Sequence, residues 1–285
     1  MRRRLKPIVV VVFFALFGLL LVIGKNHSDG LRKQQLASAK ASIPTMSSSS
    51  TTPTTTSTSE TDEEFVLNPI IDVSGWQLPN EIDYDTLSQN ISGAIVRVYG
   101  GSQISKDSNA AYTTGIDKSF KKHIKEFQKR NVPVAVYSYA LGKSDKEMKN
   151  EARTFYENAS PYKPTFYWID VEEATMSDMN KGVQAFLSEL KRLGAEKVGI
   201  YIGTYFMTEQ EISVDGFDAV WIPAYGSDSG YYDAAPQTDL DYDLHQYTSQ
   251  GYLGGFDSAL DLNQIAVTKD RKETYEKLFG KADNK

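Results

Sequence analysis

Residues 165–172 read Thr165-Phe166-Tyr167-Trp168-Ile169-Asp170-Val171-Glu172, an aromatic and β-branched run that ends in two carboxylates one residue apart. A short run of this composition is typical of a buried strand. Because alternate strand residues point to the same side and each residue rises about 3.3 Å, the side chains of Asp170 and Glu172 are expected to face one pocket, with Cα atoms roughly 6.6 Å apart. A solvated strand end or a helix cap would contain the same triplet, so the rest of the chain decides its meaning.

Short apolar runs alternate with amphipathic segments from residue 65 onward, which predicts β-α units around a parallel sheet. Five strands are expected at 69–73, 94–99, 134–139, 166–171 and 198–202. A helix is expected after each of them, at 84–89, 118–130, 145–158, 176–193 and 204–211. Three more strands, at 219–223, 243–247 and 259–262, follow without helical periodicity. This order predicts an α/β fold, a single (β/α)5(β)3 barrel with its working site at the C-terminal ends of the strands.

The predicted strand ends carry an unusual set of acids and aromatic residues. Aromatic faces stack on the apolar faces of sugar rings, while carboxylates and amides bind hydroxyls, so the set favours a carbohydrate cleft. No phosphate-binding glycine loop competes, because the P-loop and dinucleotide patterns are both missing. Tyr and Trp in such places also serve as packing residues, Asp72 and Asp261 as turn caps, and Gln246 as the partner of a backbone group. The set comprises Asp72, Tyr99, Tyr137, Tyr139, Trp168, Asp170, Glu172, Tyr201, Trp221, Tyr225, Gln246 and Asp261.

The acidic pair at the end of the fourth strand is suited to one kind of chemistry. Repulsion between the two carboxylates, together with partial burial against Trp168, is expected to raise the pKa of one and leave the other charged. Glycoside hydrolysis requires this division, because one carboxyl group donates a proton while the other stabilises or attacks the reacting sugar.

The first 64 residues differ in composition from the rest of the chain. Residues 1–6 are strongly basic and residues 8–24 are apolar and uncharged, which predicts a cytoplasmic tip and a transmembrane anchor over 1–24, with everything after it outside the cell. A cleaved signal peptide is the alternative. Residues 25–64, rich in Ser and Thr toward their end, are predicted to form a disordered stalk. The barrel is expected over 65–268 and a charged tail over 269–285.

Composition narrows the classes of ligand and partner. Cysteine is absent and the three histidines have no metal-ligand spacing, so the sequence predicts neither disulfides nor a metal site, and no cofactor is expected. The formal net charge is −6, and the basic residues of the predicted cytoplasmic tip contribute nothing to the external part. Nucleic acid is therefore a poor candidate partner, since it requires a basic face. We expect a monomer.

Seven motifs follow one another between about residues 68 and 267: Ile71-Asp72-Val73-Ser74-Gly75-Trp76-Gln77, Ala94-Ile95-Val96-Arg97, Val134-Ala135-Val136-Tyr137-Ser138-Tyr139, Tyr167-Trp168-Ile169-Asp170-Val171-Glu172, Trp221-Ile222-Pro223-Ala224-Tyr225, Gln246-Tyr247-Thr248 and Leu260-Asp261-Leu262-Asn263. In this order they resemble the family 25 glycoside hydrolases, lysozymes of the Chalaropsis type that cut bacterial peptidoglycan. Several motifs in the correct order are much more specific than any one of them.

The resemblance implies hydrolysis of the β-1,4 bond between N-acetylmuramic acid and N-acetylglucosamine by a retaining, substrate-assisted route. Glu172 would be the general acid and base, and Asp170 would stabilise the substrate's own 2-acetamido group. Asp72 and Asp261 would complete the catalytic set, and the aromatic residues with Gln246 would bind the sugars. Peptidoglycan strands would be the partner, and the membrane anchor with its stalk would hold the enzyme against the cell wall.

Three positions depart from the family pattern. His123 stands where many members have Asn, Ser138 replaces a frequent His, and His245 precedes Gln246 where Trp is common. These departures affect expectations about sugar binding and leave the acids untouched. Two alternatives stay open: a catalytically silent wall-binding module that uses the same groove, and a hydrolase of another acetamido-sugar polymer such as chitin.

Overall fold

Eight strands close into a barrel in chain order, which confirms the barrel predicted from the strand pattern. The computed structural model describes residues 65–101 and 106–280. Each strand from β1 to β6 is parallel to the next, whereas β8 is antiparallel to both β7 and β1. The strands are β1 (Ile70–Val73), β2 (Gly93–Tyr99), β3 (Val134–Tyr139), β4 (Tyr167–Val171), β5 (Val198–Ile202), β6 (Ala219–Pro223), β7 (Leu244–Gly251) and β8 (Leu260–Ile265).

A helix follows each of the first five strands, in agreement with the predicted alternation. Side chains fix several helix starts: Asp83 accepts hydrogen bonds from the first-turn backbone, and Ser144 and Asp178 do the same for later helices. Gly194 ends the fourth helix with φ of 105°, a conformation that glycine adopts at little cost. The helices are α1 (Tyr84–Gln89), α2 (Phe120–Lys129), α3 (Asp145–Ala159), α4 (Met179–Leu193), α5 (Thr204–Glu209) and, after β8, α6 (Arg271–Phe279).

The barrel interior below the mouth is filled with apolar side chains. Trp168 lies at its centre, fully buried, with its ring centroid 4.8 Å from that of Phe166 and 5.6 Å from that of Trp221. Gly199 leaves room for this indole, because a Cβ there would lie 2.3 Å from the Trp168 ring. A packed interior excludes a channel through the barrel, so ligands reach only its ends.

The outer face of β7 is covered by a loop instead of a helix. Residues 224–243 join β6 to β7 without a helix in the described chain. Tyr232 of this loop packs edge-on against His245, and it also meets Tyr247 on the same face of β7. Tyr242 adds a further ring against His245. An aromatic cluster thus replaces the helical cover that the first five strands have.

Part of the region expected as a charged tail is packed against the barrel. The last turn of α6 buries Leu278 and Phe279 at the end of the barrel away from the strand C-termini. The Phe279 ring lies so close to Gly93 at the start of β2 that a Cβ there would be 2.9 Å from it. Lys277 adds an ion pair with Asp243, 2.7 Å long.

The predicted anchor and stalk, residues 1–64, lie outside the described residues, as do residues 102–105 and 281–285. Among the residues that the structure describes, no helix has the length and apolar character needed to cross a membrane.

Candidate active site

Asp170 and Glu172 reach the same cavity at the mouth of the barrel. On β4 the side chain of Asp170 points inward above Trp168, and Glu172 follows directly after the strand with the same orientation. Asp261 joins from the start of β8, because this strand is antiparallel and its first residues lie at the mouth. The cavity measures about 160 Å³ and is lined by Asp72, Tyr137, Asp170, Glu172, Tyr201, Trp221, Tyr225, Gln246 and Asp261.

The acidic pair combines a deep carboxyl group with a more open one. Asp170 is only 7% exposed, and its Oδ1 atom has no hydrogen-bond partner among the described residues. Burial, and then repulsion from Glu172, raises the pKa of Asp170 well above its ordinary value. Glu172 lies at the open side of the cavity, and burial of its carboxyl group raises its pKa as well. The pair therefore retains protons at a pH where two solvated carboxyls would have lost them.

The other two carboxyls of the cavity are also shifted. Burial raises the pKa of Asp72 to about 6, although hydrogen bonds from Asn263 and Gln246 act in the opposite direction. Burial and repulsion from Asp72 raise the pKa of Asp261 to about 8. Clustered acids with raised pKa values are typical of catalytic sites.

The shift at Asp261 predicts a pH-dependent gain of stability for Asp261→Asn. Because the folded-state pKa of about 8 lies above the ordinary 3.8, the native state binds more protons than the unfolded state between these values, and stability falls as pH rises. The variant should therefore have a free energy of unfolding about 2 kcal/mol higher than the unaltered protein at pH 8, since partial exposure weakens the full effect. Urea unfolding at pH 8 and pH 4 measures this. An equal gain in the free energy of unfolding at pH 8 and pH 4 would mean that the effect comes from packing and not from the titration of Asp261.

Amide side chains hold Asp72 in a fixed orientation. Asp72 Oδ2 accepts hydrogen bonds from Gln246 Nε2 and Asn263 Nδ2, each 2.8 Å long. The Oε1 atom of Gln246 accepts from the hydroxyls of Tyr201 (2.8 Å) and Tyr225 (2.6 Å). These bonds join four strands and the loop after β6 in one network. The Asp72 carboxyl group is therefore held in place by side chains around the cavity. Asp72 is thus not the turn cap, nor Gln246 the backbone partner, that the alternatives suggested.

Three residues expected to bind sugar do not line the cavity. Tyr99 is 4% exposed and packs in the core outside the barrel, because the β2–β3 register shifts between Arg97 and Tyr99 and reverses the alternation. Trp168 is fully buried beneath Trp221 and supports the cavity floor. Tyr139 lies half-buried at the rim, where its hydroxyl donates to Glu173 Oε1 over 2.6 Å.

Two residues that the sequence analysis did not single out support the site. Asn263 bridges Asp72 and the indole of Trp221, whose Nε1 donates to Asn263 Oδ1 over 2.8 Å. Asn263 stands two residues after Asp261, so the alternation of side chains along a strand predicts that both point into the barrel. Arg97 forms a 3.0 Å ion pair with the fully buried carboxylate of Asp117, which also accepts from the Gly75 amide over 2.7 Å. No local pattern links Arg97 to an acid in a distant loop.

The three departures from the family pattern lie outside the cavity. His123 is fully buried in α2, where its Nε2 donates to the Ser74 carbonyl over 3.1 Å and its Nδ1 pairs with the Tyr84 hydroxyl at 2.7 Å. Ser138 and His245 are also fully buried and are absent from the cavity lining. These positions therefore affect packing behind the site. Among the described residues, no group of three His, Asp or Glu side chains is arranged to hold a metal ion.

Comparison with known proteins places the chain among carbohydrate-active enzymes. The profile of "Glycosyl hydrolases family 25" matches residues 71–256. Comparison with curated protein sequences gives no significant match.

Solved structures agree with the family match. The family 25 glycosyl hydrolase GHIP of Streptococcus pneumoniae, a virulence factor that participates in host cell invasion, is 58% identical, with a TM-score of 0.74 over 75% of this chain and 94% of that chain. The catalytic domain of endolysin ply40 from Listeria monocytogenes bacteriophage P40 is 26% identical, with a TM-score of 0.63 over 75% and 98%. A lysozyme of Streptomyces coelicolor, 16% identical, shares the fold with a TM-score of 0.56 over 77% and 100%.

Proposed function

Because the chain belongs to the family 25 glycosyl hydrolases, we propose that it hydrolyses the β-1,4 bond between N-acetylmuramic acid and N-acetylglucosamine in peptidoglycan. The chain is a glycoside hydrolase of the lysozyme type. The observation that carries the proposal is the single cavity that holds Asp170 and Glu172 between tyrosine and tryptophan walls. Rings of this kind suit sugar faces, and paired acids suit glycosidic bonds.

Glu172 has the position of a general acid. It lies on the open side of the cavity, and burial raises its pKa, which favours the protonated form that a general acid needs. In the first step this proton passes to the oxygen of the departing N-acetylglucosamine as the bond from that oxygen to C1 breaks. In the second step the Glu172 carboxylate takes a proton from the water that attacks C1, which restores the acid.

Asp170 is suited to the substrate's acetamido group. As the leaving group departs, the acetamido oxygen bonds to C1 from the opposite face and forms a positively charged ring. The unpartnered Oδ1 of Asp170 accepts the acetamido N–H and stabilises this charge. Water then opens the ring from the face that the leaving group vacated, so the configuration at C1 is retained. Asp72 and Asp261, which line the same cavity, orient the sugar and tune the charge of the pair.

Incubation with purified peptidoglycan tests the reaction and its bond specificity. Mass spectrometry of the reduced fragments should identify N-acetylmuramic acid at every new reducing end, and NMR of early products should show the β anomer first. Reducing ends of N-acetylglucosamine would assign a different bond, and an initial α anomer would exclude retention. Purified chitin, incubated in parallel, should release no fragments if the lactyl group of N-acetylmuramic acid contributes to recognition.

We further propose a membrane-anchored location, with residues 1–24 as the anchor, residues 25–64 as the stalk and the barrel facing the cell wall as a monomer. The apolar stretch 8–24 and the basic residues before it support this topology. After cell fractionation, the full-length protein should stay with membranes in alkaline carbonate and enter solution in detergent. Recovery of a shortened protein in the medium would indicate cleavage of the N-terminal segment.

A further inference from the structure

The large exposed hydrophobic side chains differ between the two ends of the barrel, with the aliphatic ones at one end and most of the aromatic ones at the other. Val66 and Val267 lie at the end where β1 begins and β8 ends. Five of the six exposed aromatic residues of the described chain lie at the other end, in segments that follow the C-termini of parallel strands: Trp76, Tyr112, Tyr205, Tyr231 and Tyr252. The sixth, Tyr232, packs on the outer face of β7. Single exposed hydrophobic residues are ordinary, but the collection of five rings at one end needs a cause.

The cavity is small for a polymer substrate. Its volume of about 160 Å³ is below the roughly 300–1,000 Å³ of pockets that enclose drug-sized ligands. It therefore accommodates the sugar at the reaction centre, and the remaining sugars of a glycan strand must lie on the loops at the mouth. Five of the exposed rings are on the segments at this end of the barrel, so the surface that the polymer has to cross is rich in aromatic residues.

Trp76 is exposed on a rigid turn. Its side chain is 60% exposed although it follows β1 by only three residues. The turn is closed by hydrogen bonds from the Gln77 amide to the Ser74 carbonyl and from the Trp76 amide to Ser74 Oγ. The buried Asp117 carboxylate fixes the Gly75 amide. A ring held in this way loses little entropy when it binds a ligand, which favours a binding role over incidental exposure.

Tyr205 occupies the opposite side of the mouth. It is 79% exposed and follows β5, the strand that supplies Tyr201 to the cavity. In a closed barrel of eight strands in chain order, β1 and β5 are four strands apart in both directions. Trp76 and Tyr205 therefore follow strands on opposite sides of the barrel, both at the end where the cavity opens.

We propose that Trp76 and Tyr205 are sugar-stacking positions outside the catalytic cavity, which hold a long β-1,4 glycan strand on the two sides of the bond that is cut. This inference rests on the proposed function and extends it to the choice of substrate length. Each ring stacks on the apolar face of a sugar that lies beyond the reaction centre. The enzyme accordingly prefers long strands to short fragments.

Full-length Trp76→Ala, Tyr205→Ala and the double variant test the proposal by steady-state kinetics. Two substrates are compared: long glycan strands freed of their peptides, and the shortest fragment that the unaltered enzyme still cleaves. On long strands the double variant should raise KM about tenfold or more and leave kcat unchanged. The reason is that the stacking contacts stabilise the bound substrate and the transition state by the same amount, so their loss weakens binding without slowing the chemical step. On the short fragment all parameters should stay within about twofold of the unaltered enzyme. Trp76→Phe should restore most of the affinity that Trp76→Ala loses.

Val267→Ala, at the other end of the barrel, is the matched control and should leave both substrates unaffected. Unchanged KM on long strands in the double variant would overturn the proposal, as would equal losses on long and short substrates. A failure of the unaltered enzyme to cut peptidoglycan contradicts the proposed function itself and is thus a distinct result. Melting temperatures within a few degrees of the unaltered protein establish that the variants are folded.

Discussion

Glu172→Gln is expected to lower kcat on purified peptidoglycan by about two to four orders of magnitude, the usual contribution of general acid and base catalysis. The amide keeps the size of the side chain at the open side of the cavity but has no proton to give to the leaving oxygen. KM should change little, because the aromatic walls and Asp72 still bind the sugar. Release of reducing ends over time measures the rate, and circular dichroism establishes that the fold is intact.

Glu196→Gln is the matched control for this change. Glu196 is an exposed residue just before β5, at the end of the barrel away from the cavity. The same chemical change there should leave kcat at the value of the unaltered enzyme. If Glu172→Gln released reducing sugar at that value too, the proton would have to come from another group.

Asp170→Asn should move activity and stability in opposite directions. The rate should fall about 10²–10³-fold, the loss seen when one preorganised charge-stabilising group is removed. Stability at pH 7 should rise by on the order of 1 kcal/mol, because a buried carboxyl group with an unpartnered oxygen becomes a neutral amide. Since the folded-state pKa of Asp170 is raised, the gain should be present at neutral pH and vanish as pH falls below its ordinary value.

Rate assays at pH 7 and urea unfolding at pH 7 and pH 3 measure the two effects. Asp215→Asn, at an exposed position before β6, is the control and should change neither quantity. A variant that lost activity and stability together would assign Asp170 a structural role. A fully active variant would exclude it from stabilisation of the acetamido group.

The fold could be predicted because its signals are local. Apolar runs alternate with amphipathic helices through β5, and the loss of helical periodicity after residue 213 marks the three final strands. The direction of β8 could not be predicted, since a period of two residues is the same in parallel and antiparallel strands. Asp261 was therefore expected at the end of its strand, whereas it lies at the start of a reversed one.

The site was predictable wherever strand alternation continues to the mouth. Asp170 and Glu172 reach one cavity because β4 is regular, and the same holds for Tyr137 on β3. Tyr99 departs from the rule because an irregularity after Arg97 rotates its side chain outward. No residue type in that segment predicts the irregularity. Such a local change depends on the loop packed above the strand, which is a tertiary effect.

The loop over β7 has a consequence for how this enzyme can diversify. Residues 224–243 cover the back of β7 through Tyr232, and the same segment supplies Tyr225 to the cavity. Insertions or grafts there would expose His245 to water while displacing a ring that lines the cavity. The hairpin between β7 and β8 is tied down as well, because the Gly255 carbonyl accepts from the Asp83 amide and Phe256 is buried in the core, so changes of length there are confined to its exposed part at Tyr252.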